Sequence, residues 1–361
     1  MRALRSLSLA LDPDWIDFAV RHVDPTFSLT RTFARVVEIR RETADTTTLV
    51  LRPNRRFRGF VPGQHVPVRV LIGGVVHERC YSPTSEPHER TLAITVKRQP
   101  SGTVSRWVSD TAALGDVVEI GPAAGEFVLP PASTTPLLLI AGGSGITAVW
   151  SLARAALRRR ADADVALLYY ARRRADFAFA RGIEELSARH EGFRVRFLPQ
   201  SPEDGEVAAG RFSEAHLAES APDWAERDTF LCGPAGLTKA VKRHWQSAGL
   251  VHRLRCEAFA LATSAADASE DASRDTRGPT SVSFRRSVRT ALSSAPTLLA
   301  VAESAGLRPP TGCRMGICRT CTCVKVSGTV RDRVTGEIDS AAGSRIRICV
   351  SEPLGPVTLD L

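Results

Sequence analysis

The alternation of hydrophobic and polar positions changes character along this chain. Over residues 34–130 the segments ARVVEIRRET, TTTLVLRP, HVPVRVLI, TLAITVKRQ and DVVEIGPA carry alternating or β-branched apolar positions between Gly/Pro turns. That pattern predicts short strands closing into a small antiparallel barrel. From about residue 135 the rhythm becomes strand–helix: PLLLIAGG, helical ITAVWSLARAALRRR, strand ADVALLYYARR, helical IEELSARH, then strands FRVRFLP and DTFLCGP. Strands alternating with helices predict a parallel α/β sheet. Residues 260–280, ALATSAADASEDASRDTRGPT, have no apolar period and read as a linker. The expected boundaries are an extension over 1–33, a barrel over 34–131, an α/β domain over 132–258, a linker over 259–278 and a compact third unit over 279–361.

A chain of 361 residues has room for two or three such domains. No run approaches the roughly 18 apolar residues of a membrane helix. The start, MRALRSLSLALDPDW, is basic with a short apolar stretch, but it lacks a small-residue cleavage site and meets Asp12, Asp14 and Asp17 at once. It reads as an amphipathic helix packed on the body. The net charge of +9 is carried by scattered arginines, without the basic–aromatic interleaving of single-strand binding, so no nucleic-acid partner is expected.

Five of the eight cysteines fall between positions 313 and 349, the others being Cys80, Cys232 and Cys256. Without a secretion signal, a cysteine-ligated metal site in a reducing cytosol fits better than a disulfide framework. GCRMGICRTC gives C-x4-C-x2-C from Cys313, Cys318 and Cys321, and Cys349 follows after 27 intervening residues. This is the spacing of a plant-type [2Fe–2S] cluster, and Gly312 and Gly316 would let N–H groups approach the sulfurs. The alternative, a structural zinc site, usually uses paired C-x2-C units or Cys/His mixtures, which are absent. Cys323, two residues beyond Cys321, should lie on the following strand as a non-ligand.

After PLLLI, the residues Gly142, Gly143, Gly145, Thr147 and Ala148 form a glycine loop between strand and helix, with Gly143, Gly145 and Ala148 filling a G-x-G-x-x-A frame. Such a loop lets a pyrophosphate approach the helix N-terminus. The next strand ends in Arg172, Arg173 and Arg174 rather than an acidic residue, which suits a 2′-phosphate and so NADPH over NADH. A solvated arginine loop is the plainer reading of the same residues.

Arg79-Cys80-Tyr81-Ser82, the turn Gly102-Thr103-Val104-Ser105 and Cys232-Gly233-Pro234, taken with the glycine loop and the cysteines, resemble the ferredoxin–NADP reductase superfamily over about residues 33–361. Their order resembles one-component flavin/[2Fe–2S] reductases of oxygenases and desaturases. The stretches RPNRRFRGFVPGQHV, AITVKRQPSG, AGEFVLP and PPTGCRMGIC are similar to reductase partners of membrane acyl-CoA (stearoyl-CoA Δ9) desaturases.

The resemblance implies a multidomain protein: an antiparallel β-barrel flavin domain, a Rossmann-like parallel α/β nucleotide domain and a C-terminal α+β β-grasp ferredoxin domain. It implies that Arg79 reaches the flavin phosphate, Tyr81 stacks near the ring and the Ser82 hydroxyl lies near N5. Val96 and Lys97 would line the ring and ribityl chain, Gly102, Val104 and Ser105 would form a phosphate-binding helix start, and Phe259 would cover the other flavin face. Cys232, Gly233 and Pro234 would sit beside the nicotinamide, so that Ser82 and Cys232 flank the hydride transfer. Two departures stand out: Ala148 where the family often has Pro, and Cys80 at the variable position, expected to face away from the flavin.

The implied cofactors are FAD, with FMN used by related reductases, a [2Fe–2S] cluster, and NADPH as donor, with NADH the alternative. The implied activity is NAD(P)H oxidoreductase, passing electrons from NADPH through flavin and cluster to a partner protein. That partner is expected to be a desaturase, with a Rieske oxygenase or cytochrome P450 as alternatives. A monomer is expected, cytoplasmic or peripheral at a membrane through its partner. The ferredoxin unit carries eleven Lys/Arg against six Asp/Glu, a net +5, which favours docking on an acidic surface. A reading from a different class, a metal-stabilised module without turnover, would give a colourless protein.

Overall fold

The computed structural model describes residues 13–131, 134–201, 210–257, 280–293, 295–312, 314, 316, 319–333 and 336–361. The chain forms two units, Met1–Phe259 and Ala260–Leu361.

The first unit begins with α1 (Pro13–Arg21), tied down where the buried Asp17 carboxylate accepts from Ser28 Oγ and from Leu29 N at 2.7 Å. Six antiparallel strands follow: β1 (Phe33–Thr43), β2 (Thr46–Pro53), β3 (Val66–Ile72), β4 (Val75–Tyr81), β5 (Leu92–Lys97) and β6 (Val117–Ile120), with α2 (Thr103–Asp110) after β5. Their order is β4-β3-β6-β1-β2-β5. The segment after β4 returns to β5 through a Pro83–Ile94 bridge, which brings the two ends of the sheet together. Val36, Leu49, Leu51, Val68, Ile94 and Val118 fill the interior, as period-two alternation requires.

The α/β part carries β7 (Leu137–Gly142), α3 (Ile146–Arg159), β8 (Val165–Ala171), α4 (Ala180–Arg189), β9 (Phe193–Pro199), α5 (Glu214–Ser220), β10 (Asp228–Cys232), α6 (Ala235–Ser247) and β11 (Leu254–Glu257). All five strands are parallel, in the order β11-β10-β7-β8-β9. Leu139, Ala141, Leu167 and Tyr169 face one side with α3, while Leu138, Ile140, Leu168 and Tyr170 face the other with Val241 and Trp245 of α6. Burial on both faces explains why these strands read as unbroken apolar runs. The order reverses between β7 and β10, and a doubly wound sheet binds its ligand at that reversal, outside the carboxyl ends of the strands.

The strands of the second unit are β12 (Thr280–Phe284), β13 (Arg289–Ser293), β14 (Thr322–Ser327), β15 (Val330–Asp332), β16 (Ile338–Asp339), β17 (Ser344–Arg347), β18 (Ser351–Pro353) and β19 (Val357–Leu359). They form a five-stranded mixed sheet, β13-β12-β19-β14-β17, and a small sheet, β16-β15-β18. The helix α7 (Leu298–Ser304) buries Leu298, Leu299, Val301 and Ala302 in the same core as Val282, Phe284, Ile348 and Val350.

Candidate functional site: a crevice in the first unit and a cysteine loop in the second

The glycine loop sits at the switch point. β7 and β10 run in register, Ala141 beside Cys232, so their C-terminal loops emerge side by side. A Cβ on Gly145 would lie 2.1 Å from the Cys232 carbonyl oxygen, and one on Gly142 would lie 2.7 Å from Pro234 Cδ. A Cβ on Gly233 would lie 3.2 Å from Gly142 Cα. The two loops therefore pack main chain against main chain, which only glycine permits. Gly143 takes φ +53° and turns the chain into α3, while Tyr169 donates to its carbonyl at 3.3 Å and Thr147 donates to Ser144 O at 3.1 Å. Thr46, Thr95 and Lys97 of the barrel face Gly143, Ser144 and Thr147 across a small notch.

The barrel presents its own edge to this crevice. In the β3–β4 register Arg79 lies opposite Val68 and Tyr81 opposite Val66, so these two side chains share one face and Cys80 takes the other. The Arg79 guanidinium donates to the Glu78 carbonyl at 2.7 Å. Ser82 is 1% exposed, and its hydroxyl has no hydrogen-bond partner among the described residues, a buried donor of the kind a bound ring would satisfy. Burial pushes the Tyr81 phenol up, so it stays neutral. The segment after Ser82 is locked to the α/β part by Ser151 Oγ donating to Pro83 O at 2.7 Å and Arg154 donating to Thr84 O at 2.8 Å.

Val96 and Val104 pack their side chains into the barrel core, 2% and 1% exposed, which leaves their main chain to face a ligand. Ser105 Oγ accepts from Gln99 N at 3.1 Å and fills the space a Cβ on Gly102 would need. What α2 offers an anion is thus the unpaired N–H groups of its first turn, which contains no acidic residue. Lys97 is held by Asp45 at 2.7 Å. Arg172 and Arg174 follow β8 on the exposed surface, as expected for a loop at the strand's carboxyl end. Phe259 lies outside the described residues.

Cys232 is fully buried, and burial, then Glu257, pushes its thiol well up, so it sits here as a neutral group. Glu257 is its register partner on β11. The Glu257 carboxylate lies 3.4 Å from His65 Nδ1, beneath Gly125, whose Cβ position is 3.1 Å from that nitrogen. No sequence motif announces this His65–Glu257 pair. His65 lies in the stretch RPNRRFRGFVPGQHV and Glu257 two residues before Phe259, and the one local signal is a titratable residue beside apolar strand positions in each.

In the second unit Cys321 and Cys349 are both 4% exposed, and Cys321 O accepts from Ile348 N at 3.4 Å, which brings their segments together. Gly316 N donates to Cys349 Sγ at 3.2 Å, an N–H to sulfur bond of the kind that tunes a cluster. Gly316 takes φ +75°, and a Cβ there would strike Val350 Cγ2 at 2.9 Å. Arg347 pins the same loop by donating to Gly316 O at 2.7 Å. Cys323 lies on β14, buried in the core. Cys313 and Cys318 lie outside the described residues. These features suit a thiolate-held cluster, as the orphaned Ser82 hydroxyl and the glycine cradle suit a flavin and a pyrophosphate.

Comparison with known proteins agrees. Residues 34–129 match an oxidoreductase FAD-binding domain, 139–243 an oxidoreductase NAD-binding domain and 286–354 a 2Fe-2S iron-sulfur cluster binding domain. The chain is 34% identical to an NADPH oxidoreductase of Mycobacterium tuberculosis, over 99% of this chain and 91% of that protein. It is 31% identical to a glycine betaine monooxygenase reductase subunit of Pseudomonas aeruginosa, over 93% and 96% of the two chains. In fold it is similar to phthalate dioxygenase reductase, with TM-score 0.61 and 24% identity over 91% of this chain and 97% of that one. It is also similar to a type IV self-sufficient cytochrome P450, with TM-score 0.65 and 23% identity over 92% of this chain but 41% of that longer one. Its cofactors are accordingly FAD, a pyridine nucleotide and a [2Fe–2S] cluster. The chain belongs to the ferredoxin–NADP reductase superfamily, as a flavin oxidoreductase with its own [2Fe–2S] domain.

Proposed function

We propose that this chain takes electrons from NADPH and delivers them singly, through its [2Fe–2S] domain, to a partner oxygenase, and that this partner is a membrane acyl-CoA desaturase of the stearoyl-CoA Δ9 type. Bound FAD supplies the conversion of a two-electron hydride into single electrons. The chain's own residues bind and orient: the glycine cradle at Gly142, Gly145 and Gly233 receives the nucleotide pyrophosphate, and Cys232 packs as a neutral neighbour of the nicotinamide. Arg79 and the first turn of α2 hold flavin phosphate, and the Ser82 hydroxyl faces the ring. Arg172 and Arg174 take the 2′-phosphate. Cys313, Cys318, Cys321 and Cys349 hold the cluster.

The observation that carries this reading is the close packing of the Gly145 and Cys232 loops at the reversal of strand order, together with a buried Ser82 hydroxyl that lacks a partner among the described residues. The names of the relatives support an oxygenase-class acceptor, and the glycine betaine monooxygenase reductase subunits favour a monooxygenase partner as the second reading, with the Rieske oxygenase implied by the resemblance as its candidate. Reconstitution separates them. The purified chain with NADPH should support desaturation by a membrane acyl-CoA desaturase, and equal or better support of a Rieske oxygenase would transfer the assignment.

Among the described residues no helix is long and apolar enough to cross a membrane.

A further inference from the structure

The charge of the second unit is unevenly neutralised. Glu303 is held by Arg314 at 2.6 Å, Asp332 by Arg347 at 2.5 Å, and Asp360 by Arg285 and Arg286, each at 2.7 Å. Arg319, Arg333 and Arg345 are exposed and have no such carboxylate partner among the described residues. All three stand close to the cysteine loop. Arg319 lies two residues before Cys321, and its carbonyl accepts from Thr322 N at 3.0 Å. The Arg333 N–H donates to the carbonyl of Val350, the residue after Cys349, at 2.8 Å. Arg345 pairs with Val324 and alternates on β17 with Arg347, the residue that pins Gly316.

Arg314 and Arg319 also sit at φ +56° and +58°. A non-glycine residue there is strained, so glycine would be favoured if the side chains did nothing.

We propose that Arg319, Arg333 and Arg345 form a docking surface around the cluster loop for a protein electron acceptor with an acidic rim around its own redox centre. This rests on the reductase reading above and adds the kind of partner surface it fits. Plant-type ferredoxins are typically acidic; here the complementarity is reversed. Rim charges of this kind act mainly on association rate and are screened beyond a Debye length of about 8 Å at physiological salt.

The test uses the full-length holoprotein and two probe proteins, the acidic soluble domain of cytochrome b5 and the basic cytochrome c. Equilibrium binding of oxidised cytochrome b5 and NADPH-driven reduction of each probe are followed as salt is raised. Cytochrome b5 binding and reduction should weaken about tenfold or more on going from low to high salt, with no such loss for cytochrome c. The variant Arg319→Glu/Arg333→Glu should reverse the preference while NADPH-driven ferricyanide reduction and the visible spectrum persist. Arg333→Glu/Arg345→Glu, which leaves the cysteine loop untouched, should move in the same direction and guards against a loop that fails to assemble.

Cytochrome b5 binding that ignores both salt and charge reversal overturns the docking surface. So does binding to phosphatidylserine vesicles in place of cytochrome b5, which would assign the charge to a membrane. Failure of the reductase reading is separately visible as absent NADPH oxidation, because the binding measurement needs no turnover.

Discussion

His65 Nδ1 stands 3.4 Å from Glu257 Oε1, joining the barrel to the last strand of the α/β sheet where the two side chains are only 6% and 11% exposed. Burial pushes the Glu257 carboxyl above its ordinary 4.5, and His65 pulls the other way. The pair lies beside Cys232, so it links the two halves of the crevice at its floor.

The sign of its pH dependence follows. A carboxyl raised by folding binds a proton more tightly in the native state, so stability falls as pH rises from 4.5 through the raised value. Glu257→Gln removes that fall. The melting temperature of the variant relative to the parent should therefore climb as pH rises above 4.5, whereas His65→Leu should cost about 3 kcal/mol at neutral pH by stranding a buried carboxylate. Thermal melts across the acid-to-neutral range check both; a relative gain that shrinks with rising pH would contradict the first.

Gly145→Ala should be felt in both stability and nucleotide affinity. Its Cβ would come within 2.1 Å of the Cys232 carbonyl, so one of the two loops must move, at a cost of about 1–3 kcal/mol. Gly236→Ala, in the first turn of α6 with nothing within 4 Å, should be neutral or stabilising by up to about 1 kcal/mol. Chemical denaturation with NADPH binding on both variants gives the comparison.

Arg172→Gln/Arg174→Gln should lower kcat/KM for NADPH by about tenfold to a hundredfold, the loss expected for charge-assisted contacts, and leave NADH little changed. Steady-state rates with both nucleotides decide it. Parallel losses for the two nucleotides would mean these arginines do not recognise the 2′-phosphate.

Much of the architecture was legible because its periodicities are strong. FRVRFLP is β9 (Phe193–Pro199) residue for residue, and TTTLVLRP is β2 (Thr46–Pro53). β11 escaped because LRCE is four half-buried residues with no alternation to read. At the site, glycines and cysteines announce themselves by spacing, but a residue's face does not. Val96 sits in a stretch the resemblance assigns to the flavin, yet its register partner Thr47 and the barrel interior fix its side chain inward. The His65–Glu257 pair was illegible because it joins residues 192 positions apart, a proximity only the tertiary fold creates.

Arg227 illustrates the same point in the scaffold. Its guanidinium, 1% exposed, holds Asp164 at 2.8 Å and Asp223 at 2.8 Å, and donates to Leu137 O at 3.2 Å, stitching together the amino ends of β7, β8 and β10. Arg227→Met should cost about 1–2 kcal/mol, because the two carboxylates it leaves behind are more than a third exposed and solvent screens them. Hydrogen bonds from Arg227 hold the Asp223 carboxyl below its ordinary 3.8, so this stabilisation is present above 3.8 and is lost as pH falls through the lowered value. Urea unfolding of parent and variant should show a gap that narrows in acid.

Electrons pass within one chain from a nicotinamide through a flavin to a [2Fe–2S] cluster, and anaerobic titration with NADPH, read by visible absorption and electron paramagnetic resonance, follows that relay from entry to exit. Flavin and cluster absorption should fall together as a reduced-cluster resonance grows, with an uptake above one equivalent of NADPH, since flavin takes two electrons and the cluster one. Cys349→Ser should abolish the resonance and leave flavin bleaching intact. A colourless zinc protein, or bleaching that stops at the flavin in the parent chain, would contradict it.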